Sequence, residues 1–104
     1  MLFQFDPRIY RLVDQETITV GSSSVGFTVS KLVDVTDAMF RVNDQPLRFE
    51  ASDKNNTPTA SSGFSSVDGD VWQLTEIKEV QNFKAIRKGG TNSEIDVIYL
   101  QRIG

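Results

Sequence analysis

Hydrophobic and polar residues alternate with a period of two along most of this chain. Ile18 and Val20 alternate with threonines, and the same spacing recurs within residues 25–29, 38–42 and 47–51. Because successive side chains of a β-strand point to opposite faces, each run places its apolar residues on one face of a strand. Gly, Asn, Asp, Ser and Pro separate the runs. The pattern predicts roughly seven or eight strands in an all-β fold, a single antiparallel β-sandwich of jelly-roll-like or Ig-like type.

The length and composition predict a binding protein rather than an enzyme. With 104 residues, the chain fits one domain spanning residues 1–104. The sequence contains no Cys and no His, which removes disulfides, Cys/His zinc sites, thiol nucleophiles and imidazole acid–base catalysis. We therefore expect no catalytic residues, no metal site and no cofactor.

The charge balance bears on the kind of partner. The formal net charge is -3, whereas nucleic-acid binding requires a clustered basic face. The sequence also lacks a signal-peptide pattern and a run of about 18 apolar residues. We expect no nucleic-acid or membrane partner, and a chain that is made in the cytosol and stays soluble.

The end of the sequence predicts a hairpin. Residues 83–88 and 94–102 both alternate, and Gly89 and Gly90 between them are suited to the positive φ of a tight turn. In the second strand Ile95, Val97 and Tyr99 share one face while Ile98 and Leu100 share the other, so we expect that strand to be central. Residues 21–26 and 43–46 are predicted connections, and residues 75–80 a single helical turn.

The segment at 52–70 is the least regular part of the sequence, with Phe64 as its one large apolar anchor. A loop of this length in a small domain is usually functional or mobile. Asp68 and Asp70 could offer oxygen ligands to a cation, but the donor spacing of a calcium loop is missing, and we favour a turn. Trp72 could form a platform for sugars; we favour packing in or at the rim of the core.

Several motifs resemble small bacteriophage virion proteins of the capsid decoration, or cement, type. They are F-K-A-I-R-K-G-G-T at 83–91 followed by an alternating strand, Q-P-L-R-F at 45–49, T-P-T at 57–59, Gly63, and the Gly69–Asp70 pair leading into Trp72 and Leu74. The resemblance covers roughly residues 25–100 and implies a β-sandwich that decorates or joins parts of a phage head. One departure is the segment after Thr59, which is longer and richer in Ser.

The resemblance implies a virion location, contact with the major capsid protein or other virion proteins, and a homo-oligomer, either a dimer or a trimer. The alternatives are a head–tail or tail-associated connector, and a carbohydrate-binding or adhesion module with an exposed Trp72. We predict that residues 1–10 form an arm that packs on a neighbouring subunit. The candidate interface residues are Leu2, Phe3, Phe5, Ile9, Tyr10, Asn55, Asn56 and Phe64.

Overall fold

Two antiparallel sheets pack face to face in the computed structural model, which describes residues 5–52 and 54–104. Within those ranges seven strands occur, together with one α-helix, α1, at Ile77–Asn82 and a short 3-10 helix at Val29–Lys31. The predicted all-β sandwich is therefore confirmed. The strands are β1 Tyr10–Val20, β2 Asp37–Asn43, β3 Leu47–Glu50, β4 Phe64–Ser66, β5 Val71–Leu74, β6 Lys84–Arg87 and β7 Ser93–Arg102.

The large sheet has the strand order β1-β7-β2-β5, and the small sheet the order β4-β3-β6. The prediction that β7 is central is confirmed, since it pairs with β1 on one side and β2 on the other. Its residues Ile95, Val97 and Tyr99 enter the core between the sheets, while Ile98 and Leu100 pack on the outer face. No helix among the described residues is long and apolar enough to span a membrane.

The predicted terminal hairpin is wrong, because its two strands belong to different sheets. β6 pairs with β3, whereas β7 pairs with β1 and β2. The connection at 88–92 crosses from one sheet to the other, and neither Gly89 nor Gly90 has a positive φ. Phe83 and Ala85 reach the core from the small-sheet side, and Ile95 from the large sheet. Strands alternate with a period of two whether they form a hairpin or belong to different sheets. The alternation therefore could not show which strand pairs with which.

The predicted strand at 25–29 is also wrong. Val25 forms an isolated bridge with Ala85, and the 3-10 helix begins at Val29, whose exposure is 81%. Close packing interrupts the alternation here: a Cβ on Gly26 would lie 2.9 Å from the carbonyl oxygen of Phe83. The predicted helical turn at 75–80 is observed as α1, whose first turn carries a capping box between Glu76 and Glu79.

An aromatic cluster fills the space between the sheets. Phe27 and Phe83 stack with their ring centroids 4.2 Å apart, and Phe83 lies 4.9 Å from Phe40. Phe40 in turn contacts Phe49 of the small sheet at 5.2 Å, edge to face. Such aromatic pairs add to the free energy gained from apolar burial, so this cluster is the main contact that holds the two sheets together.

The hydroxyl of the buried Tyr99 is hydrogen-bonded to Glu16, a half-buried carboxylate on the edge strand β1. The Tyr99 hydroxyl donates a hydrogen bond to Glu16 Oε2, while Thr28 Oγ1 donates to Glu16 Oε1 at 2.7 Å. Burial, then the hydrogen bond to Glu16, and then the negative charge of Glu16 raise the pKa of Tyr99 well above its ordinary value of 10.0. The folded state therefore holds the phenolic proton more tightly than the unfolded state does.

This difference predicts a loss of stability in alkaline solution. The contribution of Tyr99 is complete below pH 10, the unfolded pKa, and falls by about 1.4 kcal/mol for each pH unit above it. Tyr99→Phe removes the titrating group, so its free energy of unfolding should fall less steeply between pH 10 and 11.5 than that of the wild type. Urea titrations at several pH values measure both slopes. Equal slopes would contradict the assignment.

Candidate interaction surface

The two long sides of the sandwich differ in how they are closed. On one side residues 21–25 bridge the sheets: Val25 and Ala85 exchange two backbone hydrogen bonds of 2.9 Å, and the Arg87 amide donates to the Gly21 carbonyl at 3.0 Å. On the other side β5 ends the large sheet and β4 ends the small one. We call this second side, from Phe64 to Leu74, the open edge.

Two aromatic side chains lie at the gap between the sheets along the open edge. Phe64 is opposite Phe49 in the small sheet, and Trp72 is opposite Phe40 in the large sheet. Because Phe40 and Phe49 point into the core, their partners face the same gap. Both remain accessible, Phe64 at 62% and Trp72 at 37% exposure, and Val67 and Val71 beside them are also exposed.

The indole of Trp72 is held in one orientation by a chain of hydrogen bonds. Its Nε1–H donates to Ser66 Oγ at 2.8 Å, and that hydroxyl donates to Asp70 Oδ2 at 3.0 Å. Ser66, the middle member of this chain, is buried, so its two hydrogen bonds face little competition from water. Trp72 thus lies at the rim of the core, in agreement with the favoured interpretation of its sequence. Its polar atom is satisfied internally and its remaining surface is apolar.

The acidic residues near this tryptophan form a turn. Asp70 Oδ2 accepts the Val67 amide at 2.9 Å, Asp68 Oδ1 accepts the Asp44 amide at 2.9 Å, and Gly69 has a φ of 92°. The favoured interpretation of these aspartates as a turn agrees with this geometry. Within residues 5–52 and 54–104, no group of three or more acidic side chains is arranged to hold a metal ion.

The outer edges of the large sheet differ in charge. β1, at one edge, carries Arg11, Asp14 and Glu16 and has a register irregularity between Leu12 and Asp14. Charges and bulges of this kind hinder pairing with another strand. β5, at the opposite edge, has the sequence V-W-Q-L and no charge. The uncharged strand is therefore the one that is better suited to take a further strand.

The predicted interface residues fall in three places. Phe5 and Tyr10 pack against the outer face of their own large sheet, on Met39, Ile98 and Leu100. Ile9, beside them, is exposed at 39%. Leu2 and Phe3 lie outside the described residues, and docking of the N-terminal segment on a neighbouring subunit stays a prediction.

The other predicted residues come from the loop at 52–70, which packs partly on its own domain. The Arg48 guanidinium donates to the carbonyls of Ala60 and Gly63 at 3.1 and 3.0 Å. Asn55 and Asn56 are exposed in this loop, apart from the open edge. Phe64, the apolar residue of this loop that we predicted at an interface, lies at a sheet edge, where its ring is near those of Phe49 and Trp72.

A shallow depression of about 400 Å³ lies at the start of α1, lined by Ala51, Ser52, Glu76, Lys78 and Glu79. Its acidic groups already serve the helix: the Glu79 carboxylate accepts the amides of Thr75 and Glu76, each at 3.2 Å. The depression offers mixed charge and no aromatic surface. The open edge is the stronger candidate for an interaction site.

Sequence reasoning selected Phe64 but missed its neighbours Val67 and Val71. The available signal was the uncharged strand V-W-Q-L between two turns, which is typical of an unprotected sheet edge. Comparison of the chain with protein-family models, with curated proteins and with solved structures finds no match.

Proposed function

We propose that this chain is a non-catalytic structural protein that acts through assembly, and that the open edge is its interaction surface. The observation that carries the proposal is the pair of exposed aromatic rings on an uncharged sheet edge, with Trp72 fixed by Ser66. Preorganised aromatic side chains with accessible apolar surface are typical of protein–protein contacts. A solvated edge with no binding role is normally protected by charge, as β1 is.

At a finer level, we propose a bacteriophage virion protein, with capsid decoration as its role. Support comes from the resemblance of residues 45–49 and 83–91 to small phage virion proteins. Four of the five apolar residues of those motifs lie in the core, namely Leu47, Phe49, Phe83 and Ala85, and the fifth, Ile86, is half-buried. The likeness in these two motifs therefore concerns the scaffold.

Copy number in purified particles tests the finer proposal. Virions assembled by the genome that encodes this chain are purified, and the chain is quantified against the major capsid protein by electrophoresis and mass spectrometry. Hundreds of copies per particle are expected for decoration. About a dozen copies would replace decoration by a connector role, and absence from particles would overturn both.

The exposed ring of Trp72 also permits a carbohydrate-binding function. A glycan array with the wild type and Trp72→Ala separates the two functions, because stacking of a sugar on the indole requires the ring. We expect no glycan signal that depends on Trp72. A saturable signal that Trp72→Ala abolishes would favour the adhesion module instead.

A further inference from the structure

We propose that two copies of this chain associate through β5, which pairs with the same strand of the second copy in antiparallel orientation around a twofold axis at Trp72. The two large sheets would then form one continuous sheet of eight strands, twice the four of the monomer. This inference rests on the proposed assembly function and names the occupant of the open edge.

The hydrogen-bonding pattern of β5 shows which of its backbone groups are available. The Val42 amide donates to the Asp70 carbonyl at 2.9 Å, and Phe40 lies opposite Trp72 in the same ladder. Antiparallel ladders alternate, so the backbone groups of Trp72 point toward β2 and those of Val71 and Gln73 point away from it. No other strand among the described residues pairs with that outer side.

These two outward-facing residues define one favourable register for self-pairing. Val71 and Gln73 flank Trp72, so a twofold axis at Trp72 places Val71 of each copy opposite Gln73 of the other. Each of these pairs exchanges two N–H···O bonds, about four in the dimer. The two Trp72 residues then form a non-hydrogen-bonded pair with Cα atoms about 4.5 Å apart, which is the closer spacing and brings the indoles into contact.

A second copy suits the edge better than a charged partner strand does. Around a twofold axis like residues approach each other, so a strand bearing charge of one sign would repel its own copy. β5 has no charge on its four residues. Its side chains are apolar, except for the carboxamide of Gln73. The Nε2 of Gln73 donates a hydrogen bond to Tyr10 Oη of the same subunit at 3.3 Å.

The exposed apolar area sets the expected strength of the contact. The accessible parts of Phe64, Val67, Val71 and Trp72 amount to roughly 350 Å² per copy, comparable with the largest apolar patch of a typical monomer. Phe64 and Trp72 face the gap between the sheets, and Val71 faces the outer side of the large sheet. A standard stable interface buries about 800 Å² per partner. We therefore expect a dimer with a Kd in the micromolar range, which attachment to a particle at many neighbouring sites would reinforce.

The first experiment removes only the backbone N–H of Gln73, which points away from β2. Gln73→Pro deletes the amide that faces away from β2, so the ladder inside the subunit is unaffected, and proline is tolerated at such edge positions. Gln73→Ala is the matched control, because it removes the same side chain and keeps the N–H. In sedimentation equilibrium we expect the wild type and Gln73→Ala to dimerise, and Gln73→Pro to bind at least tenfold more weakly with an unchanged circular dichroism spectrum.

The second experiment tests the register by cross-linking, for which the absence of native cysteine makes single-cysteine variants unambiguous. The expected separation of the two Trp72 Cα atoms, about 4.5 Å, lies within the range that a disulfide spans. Trp72→Cys should therefore form a covalent dimer under mild oxidation. Val71→Cys and Gln73→Cys should cross-link with each other when mixed, and much less when each is oxidised alone.

The outcomes separate this inference from the proposed function. A wild type that stays monomeric at its highest soluble concentration overturns the dimer, as does a Gln73→Pro variant that dimerises like Gln73→Ala. Efficient self-cross-linking of Val71→Cys alone overturns the register. None of these results changes the copy number in virions, so the assembly role can stand without the dimer.

Discussion

Replacing Phe83 with alanine is expected to lower the free energy of unfolding by about 3–5 kcal/mol, the range measured for large aromatic truncations in cores. Phe83 is only 1% exposed and its ring contacts those of Phe27, Phe40 and Phe49. Its removal leaves a cavity where the two sheets meet, and these rings come from both sheets, so the site cannot collapse without moving one of them. Urea unfolding followed by tryptophan fluorescence measures the change.

Phe64→Ala is the matched control, since it removes the same atoms from the same residue type at the open edge. With Phe64 62% exposed, we expect a loss below about 1 kcal/mol, because little apolar surface is withdrawn from water there. The same variant should weaken self-association. A stability loss comparable to that of Phe83→Ala would contradict the assignment of Phe64 to a surface rather than the core.

The second large effect is expected at Asp37, whose carboxylate is fully buried at the start of β2. It accepts hydrogen bonds from Thr36 Oγ1 at 2.7 Å and from Arg102 Nη2 at 3.0 Å. Asp37→Ala removes both bonds from a fully buried position, while Arg102 Nη2 keeps its bond to the Thr75 carbonyl at 3.1 Å. The free energy of unfolding should fall by about 1–3 kcal/mol. By the usual relation for domains of this size, the melting temperature falls by about 4–8 °C per kcal/mol.

Asp6→Ala provides the comparison for this ion pair. Asp6 also contacts an arginine, Arg8, at 2.9 Å, but the Arg8 side chain is 88% exposed. Exposed pairs contribute little, so thermal unfolding of Asp6→Ala should follow that of the wild type. If Asp37→Ala and Asp6→Ala had the same melting temperature, the hydrogen bonds between Asp37 and Arg102 would not contribute to stability.

Substitutions in the core and substitutions at the open edge are expected to change different properties of the protein. The aromatic cluster fixes the two sheets relative to each other, and Asp37 joins β2 to the end of β7 within the large sheet. Variants of the core are expected to act on stability first and on binding as a consequence. Variants of the outer side of β5 are expected to act on association alone, and this difference makes the open edge testable.

The sequence by itself determined which residues are buried within most strands. Alternation predicted the inward faces of β2, β3 and β7 correctly, because side chains of a strand must point to opposite faces whatever its neighbours are. The apolar second face of β7 likewise predicted its central position, since both of its faces had to be covered.

Only the tertiary structure decided which strands pair. The sequence predicted that β6 and β7 form a hairpin, yet each takes a partner distant in the chain, because crossing between the sheets buries Phe83 and Ile95 in one core. The open edge was decided in the same way. The sequence predicted Phe64 as an interface residue and Trp72 as packed in or at the rim of the core. Their shared exposed edge exists because β4 and β5 end their sheets on the same side. Alternation within a strand determines which of its faces is buried, whereas long-range packing determines which strands lie at the edge of a sheet.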